Sequence, residues 1–350
     1  MAADQFDLFG AEPLLAPVSK RETRAASPAS AVQPPAFDDT LRELATRLPK
    51  TARFGTSSWS FPGWAGMVFD ATYPDSTLSR HGLAAYAAHP LLRTVGIDRT
   101  FYAPMTESQF RSYAKQARAT KADFQFLVKA PMLFTAPRLR GDDGQWTDNP
   151  AFLNAQLANA QFVQPATLGL AEMCGPLVFQ FPPLGPRFTR SPLRFADALA
   201  EFLLALPKLG DSACYAVEVR DPELLTDDYL AALCAGGATH CIGIHARMPR
   251  AAAQARFWRE AGRLPLVIRW SLHSGFKYEE AKERYAPFNA LVDEDPEGRA
   301  EVAALVLEAA RLPRASFVIA NNKAEGSAPL TIRKLSELIA EHGETLIVRG

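Results

Sequence analysis

Three observations predict an α/β protein built as a single (β/α)8 TIM-barrel-like domain behind a disordered N-terminal tail. From Phe54 onward, short apolar runs alternate with stretches able to form helices, and eight such runs occur. A repeated strand-helix order predicts a parallel sheet with right-handed crossovers, and eight units suffice to close it into a barrel. The polar residues of these runs fall at their ends, where barrel proteins hold their chemistry. An open doubly wound sheet is the alternative, but its Gly-rich turn is missing after the first run. There, Gly55-Thr56-Ser57-Ser58-Trp59 does not match G-x-G-x-x-G.

The chain divides into a tail, residues 1–50, rich in Ala, Pro and Ser, and a barrel domain, residues 51–350. Within the tail, Gln5-Phe6-Asp7-Leu8-Phe9 places large apolar groups in a polar leader. It resembles the Q-x-x-L-F peptide with which bacterial proteins dock on the replicative sliding clamp, which makes Gln5, Leu8 and Phe9 candidate partner-binding residues beside the plainer reading of a chance apolar patch. At 350 residues one barrel with a tail fits the length. Lys plus Arg equals Asp plus Glu at 38 each, so no global field points to nucleic acid or a membrane surface. No apolar run approaches the ~20 residues needed to span a bilayer and no signal segment opens the chain, which predicts a cytoplasmic protein. Cys174, Cys214, Cys234 and Cys241 form no CxxC pair, and three lie in or beside apolar runs, as buried reduced thiols would.

Strands are expected at 54–58, 94–98, 124–129, 177–181, 215–220, 240–245, 266–270 and 317–322. Helices are expected at 78–88, 107–119, 151–169, 191–206, 227–235, 251–261, 279–291 and 299–310. Successive side chains of a strand face opposite sides, so the bulkier apolar face of each can be set outward against helices. Phe124, Phe126 and Val128 then point out, leaving Leu127 and Lys129 inside. Leu177, Phe179 and Phe181 outside leave Gln180 inside, and Tyr215, Val217 and Val219 outside leave Ala216, Glu218 and Arg220 inside. Ile242 and Ile244 outside leave Cys241, Gly243 and His245 inside; Leu266, Ile268 and Trp270 outside leave Arg269 inside. Val95 and Ile97 outward put Asp98 inward, and Phe317 and Ile319 outward put Ala320 and Asn322 inward. Asp98, Lys129, Gln180, Glu218, Arg220, His245, Arg269 and Asn322 thus collect at one mouth.

These segments carry a resemblance. Gly55-Thr56-Ser57-Ser58-Trp59-Ser60-Phe61-Pro62-Gly63-Trp64, Thr100-Phe101-Tyr102, Phe126-Leu127-Val128-Lys129-Ala130-Pro131, Gly175-Pro176-Leu177-Val178-Phe179-Gln180-Phe181-Pro182-Pro183 and Tyr215-Ala216-Val217-Glu218-Val219-Arg220 resemble the domain of unknown function 72, or YecE-like, family. The resemblance implies a (β/α)8-type barrel and a family with no established activity. Three departures stand out. Val95-Gly96-Ile97-Asp98 replaces V-E-I-N, Thr135-Ala136 replaces T-H, and R-x-H is spread out as Arg269-Trp270-Ser271-Leu272-His273.

The chemistry expected of the mouth is anion binding with acid-base capacity. Glu218 would be a general base, Lys129, Arg220 and Arg269 would hold an anion such as a phosphate ester or nucleic-acid backbone, and Gln180 and Asn322 would orient it. Asp98 and His245 complete the candidate binding set, and hydrolysis of the bound ester is one outcome. Trp59 and Tyr102 could stack on a base or sugar ring, or simply close the barrel top. The alternatives are a self-satisfied salt-bridge layer, a small-ligand barrel, or a noncatalytic replication or repair module recruited through its tail. No cofactor is indicated, and no compact ligand spacing such as H-E-x-x-H argues for a metal.

Overall fold

The computed structural model describes residues 31–141, 143–272 and 278–347. Gln5, Leu8, Phe9 and His273 lie outside these residues. Ten strands occur: β1 (Ala52–Thr56), β2 (Leu92–Ile97), β3 (Gln125–Lys129), β4 (Arg138–Arg140), β5 (Trp146–Asp148), β6 (Cys174–Gln180), β7 (Cys214–Glu218), β8 (Ala238–Ile244), β9 (Leu266–Trp270) and β10 (Ser316–Ala320). Eight of them close into a parallel barrel in the order β1-β10-β9-β8-β7-β6-β3-β2. These are the eight runs the sequence marks, each within a few residues of its expected span. β4 and β5 pair antiparallel outside the barrel, in the connection between β3 and β6.

The alternation of faces sorts the core into two regions. Phe126, Phe179, Val217, Ile242, Ile268 and Trp270 pack outward against helices, in the larger cluster. Inside the barrel, Leu127, Val178, Ala216, Cys241, Val267 and Ile319 form a separate buried plug. β10 is the exception to the expected facing: Ile319 belongs to the plug, whereas Val318 and Ala320 belong to the outer cluster. Phe317 and Ile319 are bulky enough to suit either side, so size alone assigns this strand the wrong way round.

Two helices lie outside the expected set. Residues 32–50 are folded onto the barrel rather than forming part of a tail. Asp38 caps the helix Asp39–Thr46 by accepting from Leu41 N, and Leu41 and Leu44, three residues apart, are buried on one face with Val32. A helix also spans Ala328–Ile347 after β10, burying Ile332, Leu335 and Ile339 at helical spacing.

β1 and β2 meet at a register shift between Phe54 and Gly55. The Tyr86 hydroxyl fills the gap, accepting from Thr56 N at 3.0 Å and donating to Thr94 O at 3.1 Å. A Cβ at Gly55 would lie 2.0 Å from Thr94 O, so only glycine lets the two backbones approach this closely. Gly55→Ala should therefore destabilise the fold by about 2 kcal/mol or more, read as a lower denaturant midpoint. Gly210→Ala, with nothing within 4 Å of the added methyl, should leave that midpoint in place.

Candidate active site at the carboxyl ends of the strands

Glu218, the last residue of β7, is completely buried, and its carboxylate sits between two guanidiniums. Oε1 lies 2.6 Å from Arg220 Nη2, and Oε2 accepts from Arg269 Nη1 at 2.6 Å. Arg269 Nη2 donates in turn to Asp98 Oδ2 at 2.6 Å, forming an Arg220–Glu218–Arg269–Asp98 chain. The backbone holds these groups in place. Phe181 N donates to Glu218 O, Ser271 N to Ile244 O, and Arg220 Nη2 to Ser271 Oγ at 3.3 Å. Gly243 on β8 leaves room for the carboxylate, since a Cβ there would stand 3.1 Å from Glu218 Oε1. Behind β8, Gln254 accepts from Gly243 N and donates to Gly243 O, and His240 and Tyr229 extend this network outward.

Lys129 ends β3 beside this chain, 4% exposed, with its ammonium 3.5 Å from the centre of the Phe101 ring. Thr100 locks its backbone by donating to Lys129 O. Five polar atoms of the cluster are buried without a hydrogen-bond partner among the described residues: Arg220 Nη1, Arg269 Nε, Gln180 Nε2, Asp98 Oδ1 and Glu218 Oε1, the last held only by its ion-pair contact with Arg220. Three of these are donors. Buried donors are ordinarily satisfied, and leaving one unpaired costs about 1–3 kcal/mol.

The electrostatics separate the groups by task. Burial alone would raise the Glu218 pKa, but Arg220 and Arg269 overcome it and hold the carboxyl at about 2. Burial opposes the Arg269 charge, yet Asp98 and Glu218 outweigh it and keep the guanidinium protonated. At Lys129 burial wins: helped by Arg269 and resisted by Asp98 and Glu218, it brings the ammonium down to about 7. His245, half-buried, is pushed down to about 3 by burial and by Arg220, so its ring is neutral, with Nδ1 accepting from Arg247 N.

Of the residues expected at the mouth, Asp98, Lys129, Gln180, Glu218, Arg220 and Arg269 stand at the carboxyl ends of their strands, with His245 at the rim after β8. Asn322 ties the loop after β10 to the last helix through its Oδ1, which accepts from Trp64 Nε1 and Ala328 N, while its Nδ2 is buried without a hydrogen-bond partner among the described residues. Trp59 is buried, donates Nε1 to Leu78 O and meets Tyr113 edge-on at 4.9 Å, so no ring face is left for a ligand. Tyr102 is exposed at the rim next to Phe101. A cleft of about 400 Å³ opens on the same face, between the loops after β3 and β6. Pro182, Pro183, Leu184 and Trp146 wall it, with Arg138 and Arg187 at its edge. It was not expected from the sequence, because the β4–β5 hairpin that supplies Trp146 has too short a strand pattern to stand out. Among the described residues no group of three or more His, Cys, Asp or Glu could hold a metal ion, and no helix is long and apolar enough to cross a membrane.

A closed parallel barrel with a buried charge cluster at the carboxyl ends of its strands defines the class: a TIM-barrel-type protein with its candidate site in the usual place for that fold. Residues 53–349 match the model of the protein of unknown function DUF72 family, and the chain belongs to that family. Two solved structures are similar in fold. A DUF72 family protein from Thermotoga maritima MSB8 has a TM-score of 0.55 and 20% identity, covering 82% of this chain and 98% of that one. A DUF72 family protein from Enterococcus faecalis V583 has a TM-score of 0.51 and 15% identity, covering 82% and 97%. No curated protein matches the chain.

Two substitutions test the electrostatics through stability. Glu218→Gln strips Arg220 of its carboxylate and leaves Arg269 with Asp98 alone, and should cost about 3–5 kcal/mol at neutral pH. Because the folded pKa lies below the ordinary 4.5, Glu218 stabilises the fold above that pH and ceases to as the pH falls through about 2. The deficit of the variant should shrink over that window in acid unfolding titrations. Lys129→Met should do the opposite. Between pH 10.5 and about 7 the unfolded lysine holds a proton that the folded one sheds, so the wild-type fold is penalised by about 1.4 kcal/mol per unit. The variant should be more stable than wild type near pH 6, with its advantage fading as the pH approaches 10.

Proposed function

We propose that the carboxyl-terminal mouth of the barrel binds a small molecule carrying an oxyanion, a carboxylate or phosphate. The observation that carries this reading is the set of three buried donors without acceptors among the described residues, Arg220 Nη1, Arg269 Nε and Gln180 Nε2. A purely structural salt-bridge layer would satisfy its own donors; this one has donors left over. An oxyanion accepting from the two guanidiniums would make charge-assisted hydrogen bonds in a site largely shielded from water.

The same geometry argues against Glu218 as a general base. A carboxylate held near pKa 2 by two guanidiniums binds a proton too weakly to remove one from substrate at neutral pH. Its task is to fix Arg220 and Arg269. The neutral overall charge, 38 against 38, favours a compact ligand over a nucleic-acid backbone, which needs an extended basic surface.

Calorimetric titration of the full chain with malonate, inorganic phosphate and 2-phosphoglycolate tests the reading. At least one should bind and raise the unfolding temperature, and Arg220→Met should weaken that binding tenfold or more. Gln180→Leu, which removes a donor without disturbing the ion-pair chain, should weaken it less. If none of the three binds, or if Arg220→Met binds as wild type does, the reading is overturned.

A further inference from the structure

The anion-binding reading leaves Lys129 without a task, and its surroundings give it one. An anion held by guanidiniums does not need an ammonium buried beside them. Among the described residues Lys129 makes no ion pair or hydrogen bond through Nζ; its nearest partner is the face of Phe101 at 3.5 Å. Buried next to Arg220 and Arg269, it is the cation of the cluster that can give up its charge, since a guanidinium keeps its proton at any ordinary pH. A neutral amine against an aromatic wall, at the mouth of a barrel, is a nucleophile. Glu218, clamped by two arginines, cannot act as one.

We propose that Lys129 forms an imine with an aldehyde or ketone that also carries an oxyanion, the oxyanion being held by Arg220 and Arg269. This rests on the anion-binding reading and names the substrate class within it. The Lys129 Nζ lone pair adds to the carbonyl carbon, and a proton passes from the nitrogen to the former carbonyl oxygen to give a carbinolamine. The nitrogen then expels the hydroxyl, which leaves as water after taking a second proton. Counted through, neutral amine, carbonyl and one proton from solvent give a protonated imine and one water. No oxidant, reductant or metal is needed. Asp98 and Glu218, within electrostatic reach of Lys129, favour the positive imine, and Asp98 Oδ1 carries no hydrogen bond that would compete. An imine so placed withdraws electrons from the neighbouring carbon, which is the chemistry of carbon–carbon bond cleavage, carbon–carbon bond formation and decarboxylation.

Reductive trapping tests this on the full chain. Glyoxylate, an aldehyde bearing a carboxylate, is added with sodium cyanoborohydride, and peptide mass mapping locates the adduct. The expected result is preferential labelling of Lys129 that quickens as the pH rises through neutrality and is suppressed by malonate. Acetaldehyde, which lacks the anion, should show no preference for that residue. Lys129→Arg keeps the charge and should lose the adduct at that position while still binding malonate in calorimetry. If malonate binds the wild type but glyoxylate labels only scattered surface lysines, the imine is overturned and the anion site stands. Should malonate and the other anions fail to bind, both readings fall. Equal labelling of Lys129 by acetaldehyde and glyoxylate would overturn the role given to the arginines.

Discussion

A fully buried carboxylate between two guanidiniums is the constraint on which the upper half of this barrel depends. Glu218 has no water to solvate it, so its charge is tenable only with Arg220 and Arg269 in contact. That requirement fixes the ends of β7 and β9, favours glycine at position 243, and places Asp98 across the barrel as the outer partner of Arg269. Each arginine spends part of its fork on Glu218 and keeps another N–H unspent. The carboxylate therefore acts on a ligand through the arginines it orients.

Most of the barrel could be read in the chain because one physical rule recurs. Helix-packed faces take large apolar residues and the confined interior takes smaller or functional ones, so Phe179 against Gln180, or Trp270 against Arg269, assigns its own direction. The rule fails at β10, where Phe317 and Ile319 are as large as residues that pack outward elsewhere, and neighbouring Val318 and Ala320 offer no contrast. That facing alone sets Asn322 inward by strand alternation. Its actual work, accepting from Trp64 and from the start of the last helix, joins residues 258 and 6 positions away and depends on loop geometry that strand alternation does not describe. Trp59 was ambiguous for the same reason. By contrast, the helices at Asp39–Thr46 and Ala328–Ile347 carry ordinary signals, an Asp cap in the first and apolar residues at three- and four-residue spacing in both, the first of them at the edge of an Ala-, Pro- and Ser-rich stretch. The protonation states of Glu218 and Lys129 were not legible at all. Both are charged residues on inward strand positions; only the partners supplied by other strands make one a fixed anion and the other a removable cation.

One departure from the family pattern gains a structural meaning. Gly96 and Asp98 stand where the resemblance described above reads Glu and Asn. Positions two apart share a strand face, and an added Cβ at Gly96 would lie 3.5 Å from Asp98 Oδ1. Asp98, 29% exposed, supplies the carboxylate that Arg269 meets on this side.

The apolar plug of Leu127, Val178, Ala216, Cys241, Val267 and Ile319 lies beneath the charges and fills the barrel below them. A weakly polarisable floor cannot screen what stands on it, while water can do so above. Field lines from the cluster are therefore refracted away from the floor and emerge through one opening, as light leaves a shaded lamp. The closed barrel thus turns a handful of local charges, in a molecule with no net charge, into a directed potential whose reach is set by the ionic strength of the medium.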